Sequence, residues 1–106
     1  MLFRSVNGEE ISDHDFASGF SAVSATIERL LAAGDLPKHP SFFECVTAMG
    51  WVHFRECQCD VQVLEVGLGG RLDATNISRP TISVITPVDL DHESYQIGRA
   101  SCRERV

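Results

Sequence analysis

The spacing of apolar side chains changes character along the chain. From Phe16 it runs in steps of three and four, through Phe20, Val23, Ile27 and Leu30, and closes on the adjacent Leu31. That period marks one face of a helix. Ser12 stands where an N-cap belongs, and Asp13 and Asp15 put negative charge in the first turn, where the helix dipole favours it. Gly34 is a natural terminator, and Pro37 and Pro40 mark the connection that follows. A second helix is predicted from Ser41, because Ser41-Phe42-Phe43-Glu44 has the capping-box pattern. Phe43, Val46, Thr47, Gly50, Trp51 and Phe54 line its expected buried side, with Phe42 also assigned to the core. Gly50 weakens this helix by about 1 kcal/mol relative to alanine.

Elsewhere the pattern is that of strands. Leu2 to Val6 and Glu9 to Ile11 flank Asn7-Gly8, a strong hairpin signal because both central positions of such a turn need positive φ. Val61 to Val66 and Thr81 to Thr86 are nearly continuous apolar runs, the second rich in β-branched residues. Both fit buried parallel strands. The predicted class is therefore α/β: an N-terminal hairpin, two helices and two parallel core strands. The link from Gly67 to Pro80 is too short for a full crossover helix. Either the crossover is abbreviated or another strand lies between the two. No internal repeat is found.

Composition narrows the partners. The chain has 106 residues and a formal net charge of -6, with a single lysine, Lys38. Non-specific nucleic-acid binding needs clustered Lys and Arg and is not expected. No apolar run approaches the roughly 18 residues of a membrane span. Met1-Leu2-Phe3-Arg4 does not read as a signal peptide, so a cytoplasmic location is expected. Of the cysteines Cys45, Cys57, Cys59 and Cys102, the middle two are one residue apart, which is not a zinc spacing. Reduced, buried thiols are expected.

The candidate chemistry lies at the strand ends. Glu65 closes the first apolar run and opens the glycine-rich Gly67-Leu68-Gly69-Gly70. Asp89, Asp91 and His92 follow the second run. In open α/β sheets ligands sit outside the carboxyl ends of parallel strands, so neighbouring strands would bring Glu65 and His92 to one crevice. Glu65 is either a loop-capping carboxylate or a ligand to Mg²⁺, which takes carboxylate oxygens. On chemistry alone His92 reads as a loop or capping residue, since Mg²⁺ prefers oxygen. Glycines let backbone approach phosphate closely. Asp73 and Asn76 are expected to order the loop through Asx turns, and Arg71 is a surface arginine unless it pairs with a phosphate or carboxylate. Glu44 has a sufficient role in the capping box, and His14, His39 and His53 are taken as solvated or packing residues. No G-x-x-x-x-G-K-[ST] loop occurs, as the one lysine follows Pro37.

Taken together, Asn7-Gly8-Glu9-Glu10-Ile11-Ser12, Pro40 to Glu44, Leu64 to Asn76, and Ser83 to Thr86 with Leu90-Asp91-His92 resemble the bacterial folylpolyglutamate synthase/dihydrofolate synthase family of the Mur ligase superfamily. The resemblance covers most of Val6 to Tyr95. It implies an ATP-dependent amide ligase: ATP phosphorylates a carboxylate of folate or a pteroate, and the amine of L-glutamate attacks the acyl phosphate. It also implies that Glu65 and His92 hold Mg²⁺, against the chemical prior for His92, and that Gly67, Gly69, Gly70 and Asn76 lie at the nucleotide. The family's P-loop, its metal-binding lysine and its glutamate-binding domain have no counterpart here. Residues 1–96 thus read as a partial Mur ligase central domain, a fragment of a P-loop-type ATPase domain, monomeric and inactive alone. Ile97 to Val106 is arginine-rich without an apolar period. It reads either as a basic tail or as a translated sequencing adapter; the second is preferred, and the segment is set aside as non-native. A cell-wall Mur-type ligase fragment and a non-catalytic metal- or nucleotide-binding remnant are the competing readings.

Overall fold

Asn7 (φ 54°) and Gly8 (φ 85°) both adopt left-handed backbone, so the chain reverses within two residues. The computed structural model describes residues 5–67 and 71–85 of the chain. The turn joins β1 (Ser5–Val6) to β2 (Glu9–Glu10) as an antiparallel pair, with Ser5 opposite Glu10 and Val6 opposite Glu9. The second strand is shorter than the sequence predicts, since Ile11 lies outside the ladder; Leu2 to Arg4 of the first lie outside the described residues.

Helix α1 (Asp13–Ala33) starts at the expected cap. The Ser12 hydroxyl accepts from the Asp15 N–H at 3.1 Å and donates to the Asp15 carboxylate at 2.8 Å. The hydroxyl's bond to the carboxylate, followed by that from His14, holds the Asp15 carboxyl below its ordinary range. At the other end Gly34 is left-handed (φ 78°), its N–H reaching Leu31 O at 3.1 Å while Asp35 N–H reaches Leu30 O at 2.9 Å. This pair of bonds is the Schellman arrangement that satisfies the last carbonyls.

Helix α2 (Phe42–Glu56) carries the full capping box: Glu44 N–H donates to Ser41 Oγ at 3.3 Å, and Ser41 N–H donates to Glu44 Oε2 at 2.7 Å. The Ser41 side chain, then its backbone, lower the Glu44 pKa. The end of α2 is a second Schellman motif, with Gln58 N–H to Arg55 O at 3.0 Å and Cys59 N–H to Phe54 O at 3.0 Å. Here a glutamine, Gln58, takes the left-handed position (φ 53°) usually given to glycine.

The chain divides into two units, Met1–Leu64 and Glu65–Val106. In the first, α1 packs on α2. Its buried apolar residues are Ile27, Met49 and Phe54, joined by the buried Thr47 and His53. Thr47 is buried with its hydroxyl donating to Phe43 O at 2.8 Å, one turn back, and the His53 ring lies 6.2 Å from that of Phe54. Several assignments are corrected. Phe42, the first residue of α2, is 79% exposed rather than core, and Phe16 and Phe20, in the N-terminal half of α1, are exposed too. Cys57 is an exposed free thiol and Cys45 and Cys59 are only half-buried, so these three do not fill a core; Cys102 lies outside the described residues.

The two parallel strands are the larger difference. Among the described residues the only ladder is β1–β2, and Val61 to Val66 and Thr81 to Ile85 form no strand. Val61, Val63, Ile82 and Val84 are each at least 78% exposed. A strand exists through its neighbour's hydrogen bonds, and an apolar run without a partner cannot form a ladder whatever its β-propensity. No helix among the described residues is long and apolar enough to cross a membrane.

Candidate functional site

Leu64-Glu65-Val66-Gly67 runs out of the first apolar segment into the glycine-rich loop, of which Leu68, Gly69 and Gly70 lie outside the described residues. The loop is closed by one carboxylate. Asp73 is buried, and its Oδ2 accepts from the Gly67 N–H at 3.1 Å across the loop. Its Oδ1 accepts from the Thr75 N–H at 2.9 Å and also from the Thr75 hydroxyl. The same side chain thereby N-caps a short 3-10 helix, Ala74–Ile77. Asn76 N–H reaches Asp73 O at 2.9 Å, and Ser78 closes the turn from its N–H to Thr75 O at 3.1 Å and from its hydroxyl to the same carbonyl at 2.8 Å.

Asp73 performs the Asx-turn ordering expected of it. A buried carboxylate that accepts hydrogen bonds on both of its oxygens is held in place rather than presented to a ligand. The Asn76 side chain works beside it, its Nδ2 donating to Arg71 O at 2.7 Å. Gly67 and Asn76 are therefore drawn onto one hydrogen-bonded loop through Asp73 and Arg71. The 3-10 helix went unread in the sequence; Asp73 followed two residues later by Thr75, and Ser78 three beyond that, is the local signal that marks it.

Glu65, two residues before Gly67, is exposed. Asp89, Asp91 and His92 lie outside the described residues, as do Gly69 and Gly70. Among the described residues no group of three or more His, Cys, Asp or Glu side chains could hold a metal ion. Mg²⁺ does not need such a cage: it binds through one or two carboxylates, completes its shell with water and substrate phosphate, and so suits an exposed carboxylate beside a glycine-rich backbone. His53, treated in the sequence as an ordinary histidine, is buried with both ring nitrogens near Cys57 Sγ, at 3.7 and 3.8 Å. That equal spacing sets the sulfur opposite neither nitrogen's lone pair, and it is packing rather than a ligand set.

Comparison with known proteins gives this loop a setting. The chain is 40% identical over 88 residues to a folylpolyglutamate synthase of Lacticaseibacillus casei, a match covering 83% of this chain and 20% of that protein. It is 37% identical over 90 residues to the dihydrofolate synthase/folylpolyglutamate synthase of Escherichia coli, covering 85% and 19%. The Mycobacterium tuberculosis protein of the same name is 34% identical over 96 residues, covering 86% and 20%. The chain spans about a fifth of the length of these relatives. No protein-family model matches it, and no solved structure matches at a significant level.

The relatives are all synthases whose names join folate to polyglutamate or dihydrofolate, and that is the class the sequence around the loop defines. The chain belongs to the folylpolyglutamate synthase/dihydrofolate synthase family.

Proposed function

We propose that residues 1–96 are an internal part of the ATP-binding, Mur-ligase-type central domain of an enzyme that adds L-glutamate to folate or dihydropteroate. The observation that carries this reading is the Asp73-closed loop directly after Glu65, in a chain 34 to 40% identical to folate synthases over most of its length. The reaction joins a carboxylate to an amine at the expense of ATP: phosphoryl transfer to the carboxylate makes an acyl phosphate, amine attack forms the amide, and phosphate leaves.

In that setting Glu65 and His92 would hold Mg²⁺, and the backbone of Gly67, Gly69 and Gly70 with Asn76 would lie along the nucleotide. Bound Mg²⁺ supplies charge neutralisation on phosphate oxygens. This chain's own residues do the positioning. Asp73 fixes where Gly67 turns, the glycines keep side chains out of the phosphates' way, and Glu65 contributes a carboxylate at the rim. Val61 to Val66 and Thr81 to Thr86 become parallel strands when neighbouring strands of the full sheet pair with them. Residues 97–106, outside the described residues, are assigned no part. The names of the relatives favour folate over a cell-wall precursor as substrate. A cytoplasmic location accords with this chemistry, and small molecules are the only partners invoked.

The test is a graft. Residues of this chain replace the matched segment of the Escherichia coli relative, and ATP-dependent incorporation of labelled glutamate is measured. The graft is expected to be active, and Glu65→Gln to lower its kcat by at least about 100-fold, the scale of losing one electrostatic stabiliser. The 106-residue chain alone is expected to incorporate nothing. A folded graft that ignores Glu65→Gln removes the metal role; glutamylation by the chain alone removes the partial-domain reading.

A further inference from the structure

The chain has two asparagines, Asn7 and Asn76, in opposite circumstances. Asn7 sits in the hairpin turn, exposed, with Gly8 as its successor and left-handed backbone at both. A Cβ placed on Gly8 would meet nothing within 4 Å, so the side of Gly8 that a larger residue would fill is open. The ladder holding the turn closed is only two residues on each side, with Glu9 and Glu10 exposed. A two-stranded hairpin of that size is marginal and opens at little cost. Asn76 is the contrast: its amide nitrogen donates to Arg71 O at 2.7 Å, its backbone N–H is bonded to Asp73 O, and the β-branched Ile77 follows it.

We propose that Asn7-Gly8 is a site of spontaneous backbone modification, at which the folded chain converts asparagine to a mixture of aspartate and isoaspartate. Asparagine is among the thermolabile residues, and glycine after it leaves the approach open. The Gly8 amide nitrogen attacks Asn7 Cγ. A bond forms between them, the nitrogen gives up its proton, and the side-chain nitrogen leaves as ammonia, closing a five-membered imide. Water then opens the imide at one carbonyl or the other, so no oxidant, reductant or enzyme is required. Opening one way restores the normal backbone and adds a negative charge beside Glu9 and Glu10. Opening the other way routes the backbone through the side chain and inserts one carbon between the strands. That carbon lengthens the two-residue turn that sets Val6 opposite Glu9.

The reaction is followed on the full 106-residue chain, incubated at mildly alkaline pH with and without urea. Peptides are then read for the mass gain of an amide-to-acid exchange and for labelling by an isoaspartate-specific methyltransferase. The expected result without urea is modification of the Asn7 peptide, faster as pH rises, with the Asn76 peptide unchanged and the label lost entirely in Asn7→Gln. Modification of Asn7 in urea only would show that the closed turn protects it and would overturn the proposal. So would no modification in either condition, or equal rates at Asn7 and Asn76.

Discussion

The two helices and the glycine loop solve the same problem, satisfying backbone polar groups, by different means. In the helical unit each solution is local. Ser12 and Ser41 cap their own helices, Glu44 answers Ser41 three residues away, and Gly34 and Gln58 turn the chain so that the last carbonyls are met. In the second unit Asp73 gathers Gly67, Thr75 and its own 3-10 helix onto one side chain. The apolar runs on either side of that loop stay exposed. Among the described residues, structure built from contacts a few residues apart is formed, whereas the two apolar runs pair with no neighbouring strand.

The sharpest way to break this contrast is Asp73→Ala. It removes acceptors from Gly67 and Thr75 together, and a hydrogen bond to a charged group contributes roughly 1.5–3 kcal/mol. Amide exchange at Gly67 and Thr75 is expected to speed up while α1 and α2 keep their protection. Slowed or unchanged exchange at those two amides would mean the loop is held by something else. Ser41→Ala comes next. It costs about 1 kcal/mol at one helix terminus, read as a lower midpoint in urea and as early exchange confined to the first turn of α2.

Gln58→Gly goes the other way. Replacing a left-handed glutamine with glycine relieves a steric cost of roughly 1 kcal/mol, offset in part by the greater freedom of the unfolded chain, so the urea midpoint is expected to rise slightly. A fall would mean the Gln58 side chain holds the cap. The smallest effect is with pH. The Glu44 carboxyl is lowered in the folded chain from an ordinary value of 4.5. Its contribution is therefore fully present above that value and is lost as pH falls below it towards the folded pKa. Acidification through that window is expected to lower helicity, and Glu44→Gln to flatten this part of the titration; an unchanged profile would contradict the assignment.

Legibility in the sequence followed the same line. Ser12, Gly34, Ser41 and the Asn7-Gly8 turn were readable because each works through neighbours within a few residues. The end of α2 was not, since Gln58 carries no terminator signal and only the geometry at Arg55 and Phe54 shows the motif. The buried side of α2 is legible in part: Thr47 and Phe54 are buried as expected, His53 takes the packing rather than the solvated alternative, and Met49 is buried without a signal. Helical period fixes a face only to within a residue or so, and the angle at which α1 crosses it decides the rest. Of the candidate site, the Asx-turn role of Asp73 was legible. The pairing of Glu65 with His92 was an inference about strand order, which depends on partners far along the chain, and His92 lies outside the described residues.

The central claim is that Val61 to Val66 and Thr81 to Thr86 are strands of a sheet this chain does not complete by itself. Hydrogen exchange, compared between the isolated chain and the graft in the Escherichia coli relative, tests it directly. The account predicts that α1 and α2 are protected in both, and that the two apolar runs are protected only in the graft. Protection of those runs in the isolated chain, or their free exchange in an active graft, would contradict it.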